Sequence, residues 1–413
     1  MNMGERLMFE ATKESNLITK LLEGLEIGEV NALNTFWKSI EEVKTPLIES
    51  IAGDNENMLV TVLWRDLSEV EGVSVIGEFF GFNPDETGLS KIENTDVWYR
   101  SFICPMDVRS LYLFTINASE DQEWSEIDMR IDPLNPKQYK CPIDEEHPDR
   151  CTMLREFESI FEMPKAREKK YINETYDNVK GKIELFRFES KILKNVRRVW
   201  VYTPANYDKA KNYGMTIFMD GWEYINIIKA PVILDNLINE KLITPVCALF
   251  IESTEERDTE LTCNKLFTDF LTEEILPWMS ENYSITGNPE NTIIAGFSYG
   301  ALAACYAALI HPDKFGKVLG QSGGFSWKPE GEEDGWIIRE FEKSPKLPID
   351  FYLDIGSFEL RWPFVSDAIK GLTDVLYSKE YKLKYNTFTG GHVHIDWQDT
   401  LADGLIYLAG MQK

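Results

Sequence analysis

Positive charge and histidine are both scarce in this 413-residue chain: 43 Lys and Arg stand against 69 Asp and Glu, with four His and a formal net charge of −26. Such an acidic balance argues against broad nucleic-acid binding, which needs a basic footprint to displace phosphate counterions. It leaves room for an anionic small ligand, because a few arginines focus positive potential inside a cleft. The histidines, His147, His311, His392 and His394, show no metal-ligand spacing. No protein-owned cofactor or metal is therefore expected. The six cysteines include no CxxC pair and no dense disulfide framework. They are expected to be isolated and reduced, with a Cys141–Cys151 disulfide as the pairing left open. No run is long and apolar enough to cross a bilayer. The opening MNMGERLMFEATKESN lacks the apolar core and cleavage pattern of a signal peptide. A cytoplasmic protein without a membrane partner is the expectation. Internal repeats and low-complexity segments are missing too, and the oligomeric state is left open.

What is present is a folded composition, 43% hydrophobic and 12% aromatic. Single cores seldom grow beyond about 250–300 residues, so two domains are expected. Residues 1–50 read as helices and turns, with Leu, Ile and Phe recurring through LITKLLEGLEIGEVNALNTFWKSIEEV. From there to about residue 165, short β-like runs such as MLVTVLWRD, VSVIGEFF and SLYLFTIN are separated by Asp, Asn, Gly and Pro. This predicts an all-β sandwich as an accessory domain, with the helical extension packed on it. Residues 166–180 read as a linker. Residues 181–413 open on paired strands and continue through GMTIFMDG, VCALFIES, NTIIAGFS and IDFYLDIGS, separated by helical segments. Short apolar runs of this kind predict a mainly parallel sheet covered by helices on both faces.

One of these runs leads into GFSYG, which places Ser298 between Gly296 and Gly300 in the G-x-S-x-G pattern of a nucleophile elbow. The strand-like IIA before it and the helix-like ALAACYAALI after it supply the context that five residues alone would lack. The competing reading is a glycine-bounded structural turn. A serine hydroxyl needs a base within hydrogen-bond reach. His392, in the late loop FTGGHVHIDW, is the preferred base, and His394 is its close competitor or a residue lining the cleft. The acid that orients the base is assigned to Glu359, just after the apolar run of YLDIGSFELRW, with Asp374 and Asp367 as lesser possibilities. The oxyanion hole needs backbone N–H groups, assigned to Tyr299 and to Trp222 in IFMDGWEY.

Together, MTIFMDGWEY, IESTEERDTELTCNKLFTDFLTEEILPWM, AGFSYGALAA, IGSFEL and GGHVHIDW resemble the enterochelin esterase family of esterase D-like α/β-hydrolases. VTVLWRD and IDPLNP are similar to that family's N-terminal sandwich. The resemblance implies an α/β-hydrolase fold and a Ser298–His392–Glu359 triad acting on the esters of a catecholate siderophore, with iron arriving as part of the substrate. RDTEL followed by Asn264 resembles the family's R-x-x-E-L-x-x-N segment. It implies that Arg257 and Asn264 bind substrate and that Glu260 orients Arg257 or fixes the loop; Trp362 and His394 are further expected substrate contacts. An esterase of feruloyl or acetyl carbohydrates, and a noncatalytic siderophore-binding protein, are the alternatives.

Overall fold

The computed structural model describes residues 14–148, 155–174 and 179–410. The chain divides into two compact units, Met1–Arg167 with Thr389–Gly391, and Glu168–Phe388 with His392–Lys413. Cys141 is buried, whereas the proposed pairing with Cys151 lies outside the described residues.

In the first unit, two amphipathic helices, Asn16–Glu26 and Ala32–Val43, bury Ile18, Leu21, Phe36, Trp37 and Ile40. These side chains join Leu47, Leu63, Ile92 and Val97 in one cluster. Ser15 caps the first helix, its hydroxyl accepting the Leu17 N–H at 3.2 Å. Two antiparallel sheets follow. One runs in the order Leu47–Ser50, Asn57–Arg65, Val97–Pro105, Ser90–Lys91. The other runs Val73–Ile76, Arg109–Ile116, Phe157–Glu162, Gln138–Lys140, with Asp128–Arg130 also paired to Arg109–Ile116. Aromatic rings from both sheets meet: Trp64 lies 5.4 Å from Phe114, and Phe80 lies 4.8 Å from Phe102 and 5.4 Å from Phe161.

The second unit is built on eight strands: β1 (Lys182–Ser190), β2 (Asn195–Thr203), β3 (Gly214–Phe218), β4 (Val246–Ile251), β5 (Thr292–Phe297), β6 (Lys317–Gln321), β7 (Asp350–Gly356) and β8 (Lys382–Phe388). They lie in the order β1-β2-β4-β3-β5-β6-β7-β8. The β1–β2 and β2–β4 pairs are antiparallel, and every pair from β4 to β8 is parallel. Successive residues point to opposite faces of a strand, and here both faces are covered. Ile217, Leu249, Ile294, Val318 and Phe351 enter one core with Phe270, Leu302, Ile337 and Leu372. Their neighbours Phe218, Phe250, Ile293, Leu319 and Tyr352 enter the other, with Tyr224, Leu234, Trp397 and Leu405. That is why the central strands read as unbroken apolar runs. Strands β6 and β8 had no such signature. KVLGQ is short and contains Lys and Gly, while KLKYNTF sits at the sheet edge with lysines on its exposed side.

Candidate active site

The elbow forms where β5 ends. Ser298 takes φ 52° and ψ −123°, a conformation unfavourable for a residue with a side chain, and the helix α3 (Tyr299–Ile310) starts at the next residue. The flanking glycines are required by contact: a Cβ on Gly296 would stand 2.3 Å from the carbonyl carbon of Gly300. Backbone bonds hold the strained serine on both sides. Its N–H donates to the Gln321 carbonyl at 3.0 Å, and its own carbonyl accepts from Ala301, Leu302 and Gly324. The side chain is half-buried at the C-terminal end of the strand.

Glu359 opens a short 3₁₀ turn after β7 and is 2% exposed. Its Oε1 accepts from the Gly356 N–H at 2.9 Å and the Ser322 hydroxyl at 2.6 Å. Its Oε2 lies 2.7 Å from Nδ1 of His392, which follows β8 and is partly exposed. The other proposed acids point elsewhere: Asp374 and Asp367 lie on the helix α4 (Pro363–Ser378), where Asp374 pairs with Lys370 at 2.5 Å and Asp367 is exposed. Asp354, inside β7, is fully buried. Burial holds its carboxyl well above the usual range, and the nearby Glu359 charge adds to the effect.

His394 is the first residue of the helix α5 (His394–Ala409) and is 6% exposed, its ring 5.0 Å from both Phe297 and Trp397. Its Nε2 has no hydrogen-bond partner. Burial, helped by the charges of His392 and Arg257, drives its pKa down to about 3, so it is a neutral imidazole at ordinary pH. Glu359 faces His392 instead. His147 belongs to the first unit, and His311 ends α3.

A second polar group occupies the ends of β3 and β4. Asp220 has φ 51° and is 1% exposed, and Gly221 starts the short helix α1 (Gly221–Asn226). The Trp222 amide sits in a first helical turn, whose N–H groups have no intrahelical acceptor. Tyr299 holds the same kind of position in α3. The Asp220 carboxylate accepts from Ser253 Oγ at 2.5 Å and from Arg257 at 2.6 and 2.8 Å. Arg257 starts the helix α2 (Arg257–Leu261), is about a quarter exposed, and lies 5.7 Å from the ring of Phe297. Burial opposes its charge, but the Asp220 carboxylate overrides that and strengthens it.

Glu260 does not orient Arg257. It makes a buried fork with Arg197, and Asp220 takes the orienting role. Asn264 is engaged locally: Oδ1 caps the segment Lys265–Asp269 through the Leu266 and Phe267 N–H groups, and Nδ2 donates to the Thr259 carbonyl. Trp362 precedes α4, half-exposed, with the Arg361 guanidinium 4.7 Å from its ring. Asp220, Ser322 and Trp397 were missed by the sequence reading. Asp220 and Trp397 lay in quoted motifs, while Ser322 follows the unrecognised strand β6.

Among the described residues no group of three or more His, Cys, Asp or Glu is placed to hold a metal ion, and no helix is long and apolar enough to cross a membrane. The model of the Esterase family matches residues 190–408, which carry Ser298, Glu359 and His392. The iron(III) enterobactin esterase of Dickeya dadantii is 25% identical over 430 residues, covering 96% of this chain and 97% of that protein. The iron(III) salmochelin esterase of Escherichia coli is 24% identical over 428 residues, covering 98% of this chain and 100% of that protein. Among solved structures, the enterobactin esterase of Shigella flexneri in the presence of 2,3-di-hydroxy-N-benzoyl-serine matches with a TM-score of 0.69 at 25% identity, over 91% of this chain and 97% of that one. The family match spans more than half of the sequence and contains the whole of the strained elbow and the Glu359–His392 pair, so this chain belongs to the Esterase family.

Proposed function

We propose that this protein is a serine esterase that hydrolyses the ester bonds of a catecholate siderophore scaffold, with Ser298 as nucleophile, His392 as general base and Glu359 as the acid that orients it. The observation that carries the reading is the 2.7 Å contact between His392 Nδ1 and Glu359 Oε2, on the same edge of the sheet as the Ser298 elbow. With Nδ1–H donated to the carboxylate, the neutral ring carries its accepting lone pair on Nε2, the atom that takes the proton. Ser298 Oγ attacks the ester carbonyl as its proton passes to Nε2. The Tyr299 and Trp222 amides receive the developing oxyanion. Collapse expels the alcohol, which takes the proton from His392. Water then attacks the acyl-enzyme by the same route and releases the acid, restoring Ser298. Iron is cargo of the substrate, and the protein contributes no metal to these steps.

The siderophore assignment is supported by likeness over nearly the full length to esterases named for iron(III) enterobactin and iron(III) salmochelin. A cation poised beside the elbow adds to it: the Arg257 guanidinium keeps exposed area and a strengthened charge, suited to catecholate oxygens. Trp362, with its half-exposed ring, and the neutral His394 are assigned to the same cleft, and Asn264 supports the Arg257 segment from behind. The N-terminal unit is read as a β-sandwich accessory domain, consistent with the aromatic rings shared by its two sheets. Turnover of ferric and iron-free catecholate trilactones, their linear esters, and feruloyl and acetyl sugars tests the assignment. Trilactone and linear siderophore esters are expected to be the best substrates, and Ser298→Ala to lower kcat by at least about 10⁴-fold with ligand binding retained. Preference for the sugar esters would overturn the substrate, and turnover by Ser298→Ala would overturn the nucleophile.

A further inference from the structure

Ser322, immediately after β6, has φ 48°. A glycine would adopt that backbone at no steric cost, so the backbone does not explain a serine here. Its side chain does. Ser322 is 2% exposed, and its hydroxyl lies between two groups whose roles are fixed. Trp397 Nε1 is 2.9 Å away and can only donate, which leaves the single hydroxyl hydrogen for Glu359 Oε1 at 2.6 Å. With Gly356 N–H on the same oxygen at 2.9 Å, Oε1 is held by two donors and Oε2 is turned to His392.

Trp397 ties the remaining parts together. Its indole stacks on Phe297, the residue before the nucleophile, with centroids 4.3 Å apart and planes 16° from parallel. The His392 ring meets it edge-on at 5.1 Å. The backbone that carries the indole is held by Gln321, whose Nε2 donates to the Trp397 carbonyl at 3.0 Å and to Thr400 Oγ1 at 2.7 Å, while Oε1 accepts from the Tyr224 hydroxyl at 3.0 Å. The Gln321 carbonyl also accepts the Ser298 N–H. One dipeptide at the end of β6 thus touches the nucleophile through its backbone and the acid through its side chain.

We propose that Ser322 is a positioning residue for the triad, acting with Trp397 to fix the Glu359 carboxylate in the orientation that presents Oε2 to His392 Nδ1. The inference rests on the assignment of Glu359 as the acid. Ser322→Gly removes the hydroxyl while suiting the local backbone, so it tests the role without adding backbone strain. On a siderophore ester and on p-nitrophenyl butyrate, kcat is expected to fall by about tenfold to a hundredfold, the loss that small displacements in a reacting constellation produce, with KM changed by less than about twofold. In a Glu359→Ala background the same substitution is expected to cost less than about twofold, since the group it positions is gone. Trp397→Phe keeps the ring and removes the donor. It is expected to lower kcat in the same direction, and Ser322→Gly combined with it to be no slower than Ser322→Gly alone. Equal losses in the wild-type and Glu359→Ala backgrounds would make Ser322 a purely structural residue and overturn the proposal. Wild-type kcat in Ser322→Gly alongside a crippled Glu359→Ala would remove the positioning role and leave the triad standing. Wild-type kcat in Glu359→Ala would remove both.

Discussion

Asp220 shows how much one residue reveals about its neighbours. Its backbone is strained into the left-handed region, and its buried carboxylate is satisfied by Ser253 and by the Nε–Nη2 edge of Arg257, so Arg257 serves the protein before it serves any ligand. Truncating one partner of a buried ion pair leaves an uncompensated charge. Arg257→Ala is therefore expected to lower unfolding stability by about 3 kcal/mol in urea titration. Asp220→Asn in the same chain should recover part of that loss. His394 gives a pH signature of its own. Its folded pKa of about 3 lies below the ordinary 6.5, so between those values the unfolded chain binds a proton that the folded one does not. Its contribution to stability is complete above about pH 6.5 and fades as pH falls toward 3. Chemical denaturation at pH 7 and pH 4 should show a smaller difference for His394→Gln than for the wild type. Asp354 acts with the opposite sign. Its raised pKa stabilises the fold at low pH and costs stability as pH rises above about 3.8, so Asp354→Asn should gain stability relative to wild type as pH is raised.

At the scale of elements, the elbow was legible because its chemistry is steric and local. Gly296 and Gly300 touch, and no side chain fits between them. Gly296→Ala is expected to cost about 3 kcal/mol or more by overpacking, beyond the usual range for small core insertions because the clash is with backbone. A drop in Tm measured by calorimetry checks this, and an unchanged Tm would contradict the packing described. The parallel strands were legible for a related reason: VCALFI and TIIAGF are buried on both faces and therefore apolar at every position. Strands β6 and β8 were not. Residues 317–321 include a lysine and a glycine, and β8 is half-exposed at the edge, so neither periodicity nor a continuous apolar run marks them. Missing β6 meant missing Ser322, whose significance appears only when three strand ends are brought side by side. The partner of Arg257 was not legible for a similar reason. Glu260 lies on the same short helix, and its sequence proximity suggested a pair, whereas Asp220 reaches Arg257 from the N-cap of α1, after β3.

At the scale of the whole molecule, the charge of −26 and the proposed substrate have the same sign. Long-range repulsion should slow the approach of an anionic ferric catecholate even though Arg257 awaits it. Raising ionic strength from about 0.01 to 0.15 M shortens the Debye length from about 30 to 8 Å and screens that repulsion. Stopped-flow binding of the anionic substrate is expected to accelerate over this range, with no comparable change for a neutral ester. A decrease instead would mean that the local field of the cleft dominates the approach. The acidic composition argues against broad nucleic-acid binding, and the three-dimensional arrangement shows which carboxylate holds the Arg257 cation in place.

The order of strands in the second unit also carries a consequence for how activity arises in time. Ser298, Ser322, Glu359 and His392 follow β5, β6, β7 and β8, four neighbours in the sheet that are also consecutive in the chain. The base joins last, from a strand paired along only one edge. Parallel pairing across a helical crossover forms slowly because chain entropy is lost before the contacts reward it. During refolding, intrinsic tryptophan fluorescence should therefore recover before ester turnover does. The enzyme would acquire its fold while still inert and become a catalyst only when its outermost strand is docked.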